Sequence, residues 1–139
     1  MIQGSCLCGG IRFEADDVPL ISVCHCSKCR KSHGAAFRPA AMVPVAAFRF
    51  TRGEDLLQRY EPSPGGYAAV FCRVCGSNAP RVVEDLKVVS IPAGLLDDDP
   101  GVRPGLHIFV GSKAPWWEIT DAAPQFEEWV PGYGPDDAG

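Results

Sequence analysis

Apolar positions along the chain come in short runs that Gly, Pro or Asp cut off. GIRFEA, LISVCH, YAAVFC, PRVVED, KVVSIPA and LHIFVG are each six or seven residues rich in β-branched or aromatic side chains, the pattern of short strands. Fifteen glycines and thirteen prolines leave little room for a long helix. One short helical turn fits SKCRKSHG, with Ser27 as its cap, while the periodicity of DLLQRY suits helix or strand equally. The pattern predicts a mainly β chain without internal repeats.

Length and composition change that picture only modestly. At 139 residues, 46% hydrophobic and 22% charged, the chain has the balance of one globular domain, expected over residues 1–130. PGYGPDDAG, residues 131–139, lacks apolar content and is expected to form a flexible tail. No run approaches the roughly 18 to 20 apolar residues of a membrane-spanning helix. MIQGSCLCGG has neither the charged nor the apolar region of a secretory signal. A cytoplasmic setting is therefore expected.

A reducing compartment disfavours structural disulfides, and seven cysteines cannot all pair. They cluster as Cys6 and Cys8, then Cys24, Cys26 and Cys29, then Cys72 and Cys75, which points to metal binding. Spacing alone leaves two partitions open. The first two clusters could share a four-cysteine zinc site made from CLC and CHC. Alternatively, Cys6, Cys8, Cys72 and Cys75 form a closed site, leaving CHCSKC as a three-thiolate site with one position open. Gly9 and Gly76, each just after a cysteine, mildly favour the second.

GSCLCGGIRFE, CHCSKCRKSHGAAF, FCRVCGSNAP and HIFVGSKAPWWEI occur here in one order, and the chain thereby resembles the glutathione-dependent formaldehyde-activating enzyme family, which includes centromere protein V. The resemblance implies a small zinc-stabilised fold of antiparallel sheets, Mss4-like or β-tent. It implies two zinc ions per chain, a structural one on Cys6, Cys8, Cys72 and Cys75 and a catalytic one on Cys24, Cys26 and Cys29. The activity implied is that of a carbon–sulfur lyase, with glutathione as the thiol and an aldehyde as its partner.

Charge bears on that expectation. Residues 1–59 carry eight Lys and Arg against five Asp and Glu, residues 60–139 five against twelve, and no acid occurs from Cys24 to Gly53. Lys28, Arg30 and Lys31 flank the three-cysteine motif and are expected to favour an incoming anion; Arg49 and Arg52 read equally well as a solvated face. Zinc with three thiolates has a net charge of −1 and suits a soft sulfur ligand better than the generation of hydroxide. A thiol drawn to it would lose its proton and become a nucleophile toward an aldehyde. Alternation in an extended CHC turns His25 away from the flanking thiols. Ser32, His33, Gly34 and Phe37 are expected at the pocket edge. His107, Ser112, Lys113 and Trp116 gain interest from the resemblance, although core packing explains the tryptophans better. Phe37, Lys113 and Trp116 join the three cations as candidate substrate contacts. A zinc-stabilised interaction module without catalysis is the alternative, with redox sensing a lesser one. The net charge of −4 disfavours nucleic acid, no membrane contact is expected, and a homo-oligomer stays open.

Overall fold

A computed structural model describes residues 1–133. Its strands are β1 (Ile2–Ser5), β2 (Arg12–Ala15), β3 (Leu20–Cys24), β4 (Arg38–Pro44), β5 (Phe48–Arg52), β6 (Leu57–Tyr60), β7 (Ala69–Cys72), β8 (Arg81–Val83), β9 (Val88–Pro92) and β10 (Pro104–Ile108), with one α-helix, α1 (Ser27–His33). They form a three-stranded sheet in the order β1-β2-β5, a five-stranded sheet β10-β3-β4-β9-β8 and a β6-β7 hairpin. Pairing is antiparallel, as the sequence leads one to expect, except at one edge of the large sheet, where β10 and β3 run parallel. That parallel strand arrives by a long connection and is itself lined by a further segment, through His107 N–H to Pro124 O and Phe126 N–H to His107 O. No described helix is long and apolar enough to cross a membrane.

Each predicted strand run contains a strand, with shifted ends. LHIFVG stops early because Phe109 takes a left-handed backbone conformation at φ 57° and a 3-10 turn follows. DLLQRY is neither one helix nor one strand, since a 3-10 turn over Glu54–Leu56 passes directly into β6. The helix cap is Cys26, not Ser27: its backbone is extended and its Sγ accepts from Cys29 N–H at 3.3 Å. Sulfur here takes the place usually held by a Ser or Asp oxygen. Residues 134–139 of the expected tail lie outside the described residues.

Two cores result. Phe13, Ala15, Val18, Ile21, Ala41, Val43, Val89 and Ile91 pack between the three- and five-stranded sheets. The second comprises only Cys6, Ile11, Cys72 and Ala79 as fully buried members, with Leu56, Leu57, Val70 and Cys75 against them. So small an apolar cluster removes little surface from water. Its cohesion depends on what holds the cysteines.

Candidate metal centres

The strand register sorts the cysteines and histidines onto opposite faces. In β3, Ile21 and Val23 are buried on one face, so Cys24 points to the other side. Arg38 lies directly opposite Cys24 on β4, and Arg81 opposite Ser90 across β8 and β9. Cys24, Arg38, Ser90 and Arg81 therefore share one face of the large sheet. Immediately beyond β3 the chain enters α1, whose cap and first turn supply Cys26 and Cys29.

The sulfurs of Cys24, Cys26 and Cys29 all lie within 4.8 Å of one another, and so, in a separate group, do those of Cys6, Cys8, Cys72 and Cys75. The sulfurs thus gather four and three, as the second partition requires. Around zinc at Zn–S of about 2.3 Å, tetrahedral sulfurs sit ~3.8 Å apart. Cys6 to Cys8 is 3.6 Å and Cys8 to Cys72 is 3.9 Å, so the larger group fits such an ion. Two turns create it. Gly9 N–H bonds to Cys6 O at 2.9 Å and Gly76 N–H to Cys72 O at 2.8 Å, with φ of 74° and 78° at the two glycines, values that ordinary side chains resist. Gly10 and Ile11 aim their N–H groups at Cys8 Sγ and Cys6 Sγ, at 3.4 and 3.3 Å. Ser77, which the sequence reading passed over, accepts from Leu7 N–H through an oxygen 3.2 Å from Cys75 Sγ. That hydroxyl helps bring the Cys75 thiol down to about 5.

Crowding shapes the three-cysteine group as well. Hydrogen bonds from the Cys24 and Cys29 thiols, and then the Cys29 amide, pull Cys26 far below the usual thiol range. The same contact with Cys26 is the main cause that raises Cys24 to about 11, and Cys29 is driven up by Cys24 and Cys26 and by burial. Without a cation, this volume favours one thiolate beside two thiols. Three thiolates together need a bound positive ion.

His25 is fully buried on the opposite face. Its Nε2 is 2.9 Å from His107 Nδ1, and His107 Nε2 is 3.0 Å from an Asp121 oxygen. With His107 neutral, its Nε2–H donates to the carboxylate and its Nδ1 accepts from His25. The Asp121 carboxyl is held low by the Ala123 N–H and by His107. Burial, with His107 and Lys113 nearby, lowers His25 to about 4. His25 Nδ1 has no hydrogen-bond partner among the described residues. The ring turns away from the flanking thiols, as the alternation of CHC predicts, packs against Phe37 and belongs to neither sulfur group.

The remaining candidates divide by face. Lys28 and Lys31 are exposed on α1, and Arg30 buries an Nε that lacks a hydrogen-bond partner. Phe37 lines a cavity of about 90 Å³ with His107, Trp117 and Asp121, on the His25 side. Lys113 donates to the carbonyls of Ala114 and Trp117, so its ammonium closes its own turn. Trp116 is 69% exposed and Trp117 40%, which corrects the expectation of core packing: they sit in a turn, where strand alternation does not apply. Ser112 is exposed and Gly34 ends α1 at φ 59°. Ser32 and His33 meet Asn78, whose Nδ2 donates to Ser32 O at 3.3 Å, tying α1 to the loop after Cys75. Arg49 is spent on Glu14 and Asp16, at 2.5 and 3.2 Å.

The family described as glutathione-dependent formaldehyde-activating enzyme matches residues 1–112. A Rhodobacter sphaeroides protein of known crystal structure is similar at 24% identity, with a TM-score of 0.57, over 73% of this chain and 91% of that one. No curated protein matches. The structural likeness speaks to the fold, and with the mainly β sheets and gathered cysteines it supports a Mss4-like architecture. Since the matched residues span well over half of its length, the chain belongs to the glutathione-dependent formaldehyde-activating enzyme family.

Proposed function

We propose that this chain is a zinc-dependent enzyme of the carbon–sulfur lyase type, which forms or cleaves the adduct of a thiol, glutathione in the first instance, with an aldehyde such as formaldehyde. One observation carries the reading. Seven sulfurs gather as four and three, and among the described residues no fourth Cys, His, Asp or Glu joins Cys24, Cys26 and Cys29. A closed site serves the fold, whereas an open one leaves a position for substrate. Zinc held by the three would lower the pKa of a thiol bound at that position.

The chain's own residues do the rest. Cys26 both caps α1 and faces the cluster, so the start of the helix sets the spacing of two sulfurs. Lys28, Arg30 and Lys31 offset the negative charge that a further thiolate brings. Phe37, Lys113 and Trp116 remain the candidate substrate contacts outside α1. In the reaction the thiol sulfur bonds to the carbonyl carbon and the carbonyl oxygen takes the proton that sulfur gives up; cleavage reverses both. Reduced cysteines fit a cytoplasmic setting.

A second reading has its own support. Leu7 is 85% exposed and Val74 66%, each at the tip of a cysteine turn, as on an interaction module. Exchange of formaldehyde with glutathione, followed by NMR, separates the two. The enzyme reading expects the zinc-loaded protein to accelerate exchange and Cys29→Ala to abolish the effect. No acceleration by a protein carrying two zinc ions refutes it and favours the module.

A further inference from the structure

A small polar cleft, with a cavity volume of about 20 Å³, opens beside the three-cysteine group, lined by Cys29, Arg38, Tyr67, Asn78 and Arg81 among others. Its two guanidinium groups come from strands two apart in the large sheet, on the face that carries Cys24. Holding them together is unfavourable. Both line the same small cleft, where like charges repel and water is scarce. Among the described residues the Arg38 side chain makes one hydrogen bond, Nη1 to Ser90 Oγ at 2.7 Å, although a guanidinium offers five donors. Among the described residues, neither Arg38 nor Arg81 has an acidic partner within ion-pair distance.

The simplest alternative is that the arginines only balance the thiolates. Zinc with three thiolates carries a charge of −1, which accounts for one guanidinium and leaves the other without a counterion. A polar cavity with spare planar donors matches a carboxylate in charge and in shape. Tyr67 and Asn78 add neutral hydrogen-bonding groups to the lining. None of the α1 cations lines this cleft: Lys28 and Lys31 are exposed, where water screens them, and Arg30 is not among its residues.

We propose that this cavity is an anion subsite which receives a carboxylate of the thiol substrate, so that the site selects thiols carrying a carboxylate a few bonds from the sulfur. The proposal rests on the thiol-binding reading of the three-cysteine group, and it names Arg81 and Arg38 as the specificity-determining residues. Asn78 holds α1 against this cavity, so a ligand there and a sulfur at Cys29 are read by one rigid corner.

Calorimetric titration of zinc-loaded protein tests it with three probes: glutathione, 2-mercaptoethanol, which lacks a carboxylate, and S-methylglutathione, which lacks a free thiol. Arg81→Gln is expected to weaken glutathione and S-methylglutathione by about tenfold or more while leaving 2-mercaptoethanol within about twofold. Arg81→Lys, which keeps the charge but loses the fork, is expected to fall between. Equal loss for all three probes, or unchanged binding of S-methylglutathione, overturns the subsite. If S-methylglutathione binds through Arg81 but no thiol binds, the subsite stands and the proposed function fails. If thiols bind regardless of carboxylate and of Arg81, the reverse holds.

Discussion

Gly53 precedes the turn into β6, far in sequence from Cys6 and Cys8, yet its replacement by alanine should disable the four-cysteine group. Its φ is 76°, and a Cβ there would lie 2.0 Å from Gly10 O, 2.8 Å from Gly10 C and 3.0 Å from Ile11 Cα. These neighbours are backbone and cannot rotate aside. Relief to a normal separation of about 3.5 Å moves Gly10 O by roughly 1.5 Å and Ile11 Cα by roughly 0.5 Å. Those residues direct two N–H groups at Cys8 and Cys6, and Ile11 O accepts from Cys6 N–H at 3.1 Å. Left-handed backbone at alanine costs about 1 kcal/mol, and three weakened hydrogen bonds about 1 kcal/mol each, so the loss is about 3–4 kcal/mol. At this size it lowers Tm by roughly 10–15 °C. Gly101→Ala is the control, with φ 78° and nothing within 4 Å of the new carbon; it should cost about 1 kcal/mol. Thermal unfolding, with zinc release to a chromogenic chelator, reads both. Gly53→Ala should also release the first equivalent of zinc faster. If its Tm lies within about 3 °C of the control's and zinc release is unchanged, the coupling between this glycine and the cysteine turn is refuted.

Acid should destabilise the fold through His33, whose pKa burial lowers to about 4 from 6.5, with Arg38 contributing. The folded state holds this ring neutral, so the unfolded state binds more protons between those values. Stability is whole above pH 6.5 and is lost as pH falls toward 4. From pH 7.5 to 5.5 the loss is about 1 kcal/mol, and His33→Gln should remove it. Urea midpoints at the two pH values check this, and an equal gap between wild type and variant at both speaks against it. His107→Leu leaves His25 Nε2 buried without its acceptor and should cost about 2–3 kcal/mol. Equal urea stability of wild type and His107→Leu would show that the histidine pair contributes nothing.

Much of this molecule was legible in its sequence, and the exceptions have physical causes. The cysteine spacing indicated the metal groups, although only the fold shows that Cys8 and Cys72 are neighbours. β5 was missed despite the alternation of FRFTR, in which Phe48 and Phe50 meet edge to face with centroids 5.0 Å apart. β4, RPAAMVP, hides because alanine and proline rarely mark strands; Ala40 and Ala41 are buried in the middle of the large sheet, where small side chains suffice. Arg38 is one residue of the acid-free stretch from Cys24 to Gly53, and nothing around Arg81 marks it as its partner. Their meeting needs β9 between them, a relation that local sequence does not carry. The tryptophans misled for the opposite reason: their size suggested burial, but a turn after β10 leaves them outward.

The division of seven cysteines into four and three is the central claim, and zinc stoichiometry tests it most directly. Wild type, Cys29→Ser and Cys72→Ser are purified and zinc per chain is measured together with folding by circular dichroism. The account predicts two zinc ions in wild type, a folded Cys29→Ser with one, and a destabilised or unfolded Cys72→Ser, because a structural zinc contributes directly to folding. An unfolded Cys29→Ser beside a folded Cys72→Ser would contradict it.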